Sequence, residues 1–238
     1  MPSKKRTMTA ERILKELKSL SNPEAVAGMT KYGINPKGTL GVSLPKLRTI
    51  AKMIGRDHNF AQRLWSSGIH EARILAALVD DPAQVTERQM ELWVKEFDSW
   101  DVCDQCCGNL FDKTKFAEKK AVEWSSREEQ FVKRASFVLI ASIAIHNKKA
   151  EDEKFIKFLP LIKRESEDER NFVKKAVNWA LRQIGKRNLK LNKKAVEMAR
   201  SIQKIDSKSA KWIASDALRE LTSEAIIARL KQRAARID

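Results

Sequence analysis

Trp100 and Asp104 stand four residues apart in the stretch Asp98-Ser99-Trp100-Asp101-Val102-Cys103-Asp104. In a helix that spacing places an indole and a carboxylate on one face, in contact range. Taken alone, the pair also fits a core indole beside a solvated acid near a helix start. A second helical stripe joins Lys175, Trp179, Arg182 and Lys186, and a third joins Phe131, Arg134 and Val138. Three cations around a tryptophan suit phosphate contacts with an aromatic platform between them. The same stripe also fits a solvated basic face on which alkyl stems cover part of Trp179. A carboxylate in a cationic groove stays anionic and repels phosphate, which weakens nucleic-acid binding. That cost points to a purpose: stabilising a developing positive charge, or positioning water. Cleavage of an N-glycosidic bond passes through such an oxocarbenium-like state. No second acid stands at a convincing spacing. The set therefore suits a leaving base that already carries positive charge and needs no general acid.

The whole chain is basic. Its 238 residues hold 47 Lys and Arg against 31 Asp and Glu, a formal charge of +16, and its pI is about 9.8. Folding needs no such excess, and self-repulsion weakens a compact state. A polyanionic partner is the simplest explanation, nucleic acid first and an anionic membrane second. Lysines and arginines at many helix ends imply sequence-independent phosphate binding that weakens with salt. Nothing resembles a base-reading element such as a helix-turn-helix or a zinc finger. No apolar run approaches the roughly 18 residues that span a bilayer. The basic residues are also spread over many helices rather than gathered on one amphipathic segment, so no membrane partner is expected. Met1-Pro2-Ser3-Lys4-Lys5-Arg6 lacks the apolar stretch of a signal peptide, and residues 1–8 read as a flexible basic tail. Cys103, Cys106 and Cys107 fall within five residues, which argues against a disulfide framework. His58, His70 and His146 lie far off without paired spacing, so no metal site is expected. The cysteines read as small helix-packing side chains in a reducing cytoplasm.

The elements that must position these residues are helices. Only 8 Gly and 6 Pro punctuate the chain, and the apolar periodicity is helical nearly throughout. Thr9 can cap a first helix, and Asn22-Pro23-Glu24 opens a second. Gly33 to Ser43, with three glycines and a proline, is a shaped loop, and Ser43 caps the next helix. Further helices are expected near 58–66, 69–80, 86–98, 99–111, 114–125, 127–146, 151–164, 168–187, 191–203, 207–220 and 223–236. Trp65 and Trp212 sit amid apolar stripes and are assigned to the core; Trp93 and Trp124 fit either core or half-exposed positions. A repeat hides inside. Phe131-Val132-Lys133-Arg134-Ala135 recurs 41 residues on as Phe172-Val173-Lys174-Lys175-Ala176, and Ala180-Leu181-Arg182-Gln183 recurs 37 residues on as Ala217-Leu218-Arg219-Glu220. Offsets near 40 mark HEAT-like repeats. The expected fold is an all-α solenoid of HEAT-like antiparallel helix pairs, a single domain over 1–238, with a basic concave groove able to cradle a duplex.

Four segments, in order, carry a resemblance to a known family. They are Tyr32 with Gly41-Val42 and Pro45-Lys46-Leu47-Arg48; Ser99-Trp100-Asp101-Val102-Cys103-Asp104; Lys133-Arg134-Ala135; and Lys174-Lys175-Ala176-Val177-Asn178-Trp179-Ala180-Leu181-Arg182. With them the chain resembles the AlkD-type DNA alkylation repair glycosylases, from about Tyr32 to its C-terminal helices. The resemblance implies removal of cationic N3- and N7-alkylated purines from double-stranded DNA, leaving an abasic site, without flipping the base into a deep pocket. It implies Asp104 as the catalytic carboxylate, with Trp100 and Trp179 holding the lesion nucleotide's sugar and backbone. Arg134 then grips phosphate, and Tyr32 lies near the DNA. Arg48, Lys175, Arg182 and Lys186 complete the expected DNA-binding set. Val102-Cys103, Cys106-Cys107 and a long interval around Lys148 to Asp152 depart from the family pattern. Some branches of the family bind branched or damaged DNA without glycosylase activity. No cofactor is implied, and no lysine stands out as a Schiff-base nucleophile. The expected protein is a cytoplasmic monomer, nucleoid-associated when bound to DNA.

Overall fold

The computed structural model describes residues 8–236. The basic tail expected over residues 1–8 therefore lies, apart from Met8, outside the described residues. Among these residues every regular element is helical: fourteen α-helices and two short 3-10 turns. The chain divides between Thr114 and Lys115 into two compact units.

The first unit holds α1 (Ala10–Ser19), α2 (Pro23–Thr30), α3 (Leu44–Ile54), α4 (His58–Trp65), α5 (His70–Val79), α6 (Glu87–Lys95) and α7 (Trp100–Asn109). Short polar side chains start these helices by accepting from orphan backbone amides. Thr9 accepts from the Arg12 N–H, Asn22 from Ala25, Asp57 from Phe60 and Thr86 from Gln89. α5 is the centre of this unit, with α3, α4 and α7 packed on it. Its burial is almost complete, from His70 to Val79. That explains a helix apolar nearly all round, rather than along one stripe. Trp65 is in the core, as its apolar setting implies, and stacks on Trp93 with ring centroids 3.9 Å apart.

The second unit holds α8 (Ala117–Trp124), α9 (Gln130–His146), α10 (Asp152–Arg164), α11 (Asn171–Gly185), α12 (Leu189–Gln203), α13 (Lys208–Leu221) and α14 (Glu224–Ala234). α9, α11 and α13 begin 41 and then 37 residues apart, the two offsets of the sequence repeat. They form one row, α9 against α11 and α11 against α13, while α10, α12 and α14 form a second row. α11 and α12, and α12 and α13, join the rows. Trp124 is fully buried. Trp212 is not the core residue its setting implies. It is 40% exposed, with the Lys174 ammonium 5.1 Å from its ring centroid. Ala210, Ile213, Ala214 and Ala217 already supply the buried face of α13, and Trp212 projects beside that face rather than into it.

Gly185, the last residue of α11, is packed closely against α13 and α12. A Cβ there would stand 2.7 Å from both Leu221 methyls and 3.0 Å from the Ala195 Cβ. Leu221 and Ala195 are fully buried and have nowhere to retreat. Gly185→Val should therefore lower stability by ~1–3 kcal/mol, the usual result of overpacking, read as a fall in the urea midpoint without a change in slope.

Candidate active site on the helix Trp100–Asn109

α7 presents two unlike faces. Val102, Cys103, Cys106 and Cys107 are fully buried, whereas Trp100, Asp101, Asp104 and Gln105 are half-buried on the other side. Trp100 and Asp104 thus share the accessible side, one turn apart. The Trp100 indole is not loose. Its Nε1–H donates to the Tyr32 carbonyl at 3.1 Å, which fixes one edge of the ring. Tyr32 itself is 75% exposed, and Arg48 on α3 is exposed as well.

The loop from Gly33 to Ser43 is stitched to the start of α7. Ser99 precedes the helix, but its hydroxyl accepts from the Asn35 backbone N–H at 3.0 Å instead of capping. The Asn35 amide donates to Asp98 at 2.8 Å. From the other side, buried Glu71 collects the backbone N–H groups of Leu40 (2.9 Å), Gly41 (2.6 Å) and Val42 (3.2 Å). Three converging amides meet the full charge of a carboxylate that water cannot reach. Gly41 has φ 80°, and a Cβ there would stand 2.4 Å from the Asn22 carbonyl oxygen, so only glycine fits. Next to Glu71, His70 is 3% exposed and its Nε2 lies 2.9 Å from Asp101 on α7. One helix start on α5 therefore secures both the loop and α7.

The second unit carries the other sequence candidates. Arg134 on α9 is 6% exposed, and its Nη1 donates to the Phe172 carbonyl at 2.6 Å. Its neighbour Lys133 is buried in an ion pair with Glu165 at 2.6 Å, with Asp168 at 3.5 Å. On α11, Lys175 is exposed and Trp179 half-buried. With its amide oxygen turned to the indole, Gln183 accepts from Trp179 Nε1 at 2.8 Å. Further along that stripe the charge is answered. Arg182 pairs with Glu220 at 2.8 Å and Asp216 at 3.3 Å, and Lys186 pairs with Glu220 at 2.6 Å. Both carboxylates come from α13. Of the three cations read from sequence on this stripe, Lys175 is the one exposed to solvent.

The profile of the DNA alkylation repair enzyme family matches residues 13–221. This chain belongs to that family. Comparison with curated proteins finds no match. Among solved structures, one described as from "a new family of proteins related to the HEAT-like repeat DNA glycosylases with affinity for branched DNA structures" is 18% identical. It covers 90% of this chain and 95% of its own, with a TM-score of 0.74. That likeness shows the fold, HEAT-like helix pairs. A designed armadillo repeat protein in complex with a (KR)4 peptide is similar at 15% identity over 78% of this chain and 83% of its own. Its TM-score of 0.36 supports no argument.

In this member of the DNA alkylation repair family the three cysteines of α7 pack the core. Burial pushes the Cys106 and Cys107 thiols well above the usual thiol range, so neither is a ready nucleophile. Among the described residues no group of His, Cys, Asp and Glu is placed to hold a metal ion, and no helix is long and apolar enough to cross a membrane. Sequence reasoning missed His70, Glu71 and Asp101. The signal was available: a histidine and a glutamate opening a helix that, apart from Arg73, is otherwise Ala, Ile, Leu and Val.

The His70–Asp101 contact makes a pH prediction. Burial opposes protonation of His70, but the hydrogen bond and charge of Asp101, with Glu71 and Asp98 nearby, outweigh it and raise its pKa. A raised pKa means the protonated pair contributes fully below the unfolded value of about 6.5 and fades as pH rises through the folded value. Asp101→Asn should therefore cost more stability below about pH 6.5 than well above it. Urea midpoints of wild type and variant across that range check this.

Proposed function

We propose that this protein hydrolyses the N-glycosidic bond of positively charged N3- and N7-alkylated purines in duplex DNA. The observation that carries the reading is the accessible Trp100–Asp104 pair on α7, in a DNA alkylation repair family chain of charge +16. The bond from C1′ to the base nitrogen breaks, and its electron pair leaves with the base, which becomes neutral. The sugar is left with a positive charge, which the Asp104 carboxylate stabilises. Water then adds to C1′ and loses a proton, leaving an abasic site. Because the base departs neutral, no general acid is needed.

Trp100 offers its ring face to the sugar, and the hydrogen bond to Tyr32 holds that ring in one orientation. Exposed Tyr32 and Arg48 contact the duplex beside it. In the second unit, Trp179 offers the same kind of surface to a nucleotide, and Lys175 takes phosphate. Arg134 adds the charge of its guanidinium, and Arg182 and Lys186 add to the positive field although α13 answers part of it. Hydrolysis is monofunctional, with no lysine as nucleophile and no cofactor.

A panel of duplexes tests the leaving-group argument. N7-methylguanine and N3-methyladenine should be released, whereas the neutral lesion hypoxanthine should stay bonded. Equal release of neutral and cationic bases contradicts the mechanism. The second reading is a non-catalytic protein that binds branched DNA by charge and shape. It draws on the similar structure from a family with affinity for branched DNA. Tight binding of an undamaged four-way junction, without base release from any duplex in the panel, favours it.

A further inference from the structure

The second unit contains a basic cleft of which the proposed chemistry uses only Lys186, itself paired with Glu220. It has a volume of about 790 Å³ and lies among the C-terminal ends of α9 and α11, the loop after α9, and α14. Lys148, Arg187, Arg229, Arg233 and Arg236 line it, and Asp152 is the one carboxylate in its wall. Asp152 is engaged by the Asn188 amide at 2.7 Å. Among the described residues, no carboxylate lies within ion-pair distance of Lys148, Arg229, Arg233 or Arg236, all four of which are exposed.

Arg187 builds the wall. Its guanidinium donates to the carbonyls of Ala144 (2.7 Å), Asn147 (2.9 Å) and Ala150 (3.0 Å), and it lies 4.0 Å from the Phe155 ring centroid. Its Nε is buried without a partner. Arg187 thereby fixes the loop that carries Lys148. Partial desolvation, and then the charges of Arg187 and Arg233, lower the pKa of Lys148. Arg229 and Arg233 are four apart on α14, a like-charge spacing that weakens a helix. A protein gains nothing by gathering uncompensated cations around a cleft unless an anion occupies it.

We propose that this cleft is a second nucleic-acid contact, which takes consecutive backbone phosphates of one strand along Arg229, Arg233 and Arg236. Arg229 and Arg233 stand one turn apart on α14, and Arg236 follows two residues after its end. Three guanidiniums in a row suit successive phosphates of one strand, each able to take a charge-assisted contact. A single small anion would leave most of the row unanswered. A lipid surface would need an apolar wedge beside the charge, but Leu230 is buried and Ile226 and Ile227 are half-buried. The site rests only on the DNA-binding part of the proposed function, not on base release.

The test is the triple variant Arg229→Gln, Arg233→Gln, Arg236→Gln, titrated with undamaged duplex over a range of salt. The positions are exposed, and an unchanged thermal melt confirms folding. The slope of log K against log salt should become shallower by about 2–3, near 0.9 per lost phosphate. Affinity at low salt should fall about tenfold or more. Wild-type affinity and slope in the triple variant overturn the proposal. Binding to phosphatidylserine vesicles that the variant loses, with duplex binding intact, overturns it too. At saturating N7-methylguanine duplex the variant should release base at the wild-type rate. If the wild type releases no base, the base-release reading fails, and the salt slope still decides this one.

Discussion

Asp104→Asn is expected to slow release of N7-methylguanine by about 10²–10³-fold, the usual effect of removing one group preorganised for transition-state charge. Asn keeps the size and hydrogen-bonding reach of Asp and removes only the charge. Duplex affinity should hold or tighten, because a negative charge facing phosphates has gone. This split between rate and affinity separates electrostatic catalysis from a structural role. A structural Asp104 would lose binding and stability with the rate. Asp101→Asn provides the contrast. Asp101 is occupied by His70, so its loss should act on stability in the pH-dependent way described above. Single-turnover release at saturating enzyme, beside duplex titrations, measures both quantities.

The second large effect is structural. Glu71→Ala should lower stability by ~3 kcal/mol or more. It leaves the backbone N–H groups of Leu40, Gly41 and Val42 without the carboxylate that collects them. A buried donor left unmade costs about 1–3 kcal/mol each, less whatever water can recover. The loss should concentrate in the loop that follows Tyr32. Hydrogen exchange at residues 40–42 should then speed up more than exchange in the α5 interior. Because Tyr32 anchors the Trp100 ring, base release should fall beyond the loss expected from unfolding alone. Uniform exchange rates across the first unit, with release in proportion to folded protein, would remove the positioning role from this loop.

Local signals in the sequence carried most of the fold. Thr9 and Asn22 cap the helices they were expected to cap, and the 41- and 37-residue offsets reappear as the spacing of α9, α11 and α13. Helix ends shifted by a few residues, as at α6, which stops at Lys95 rather than 98. The α7 face was legible because i and i+4 neighbours meet on any helix. What stayed hidden depends on partners distant in the chain. Glu71 serves amides about thirty residues upstream. Arg182 and Lys186 look like free cations until α13 places Asp216 and Glu220 beside them. Arg134 looks like a surface cation until α11 offers the Phe172 carbonyl. Trp212 misled because Ala210, Ile213 and Ala214 around it are buried, while its own direction on α13 is not.

The central claim is that the wild-type chain breaks the bond between a cationic purine and its sugar. Its most direct test is to incubate the protein, in excess, with a duplex carrying one N7-methylguanine. Free base and strand are then quantified by mass. The account predicts stoichiometric free N7-methylguanine and an intact strand bearing one abasic site, cut only after alkali. A duplex that is bound by the protein but keeps its methylated base through the incubation contradicts it.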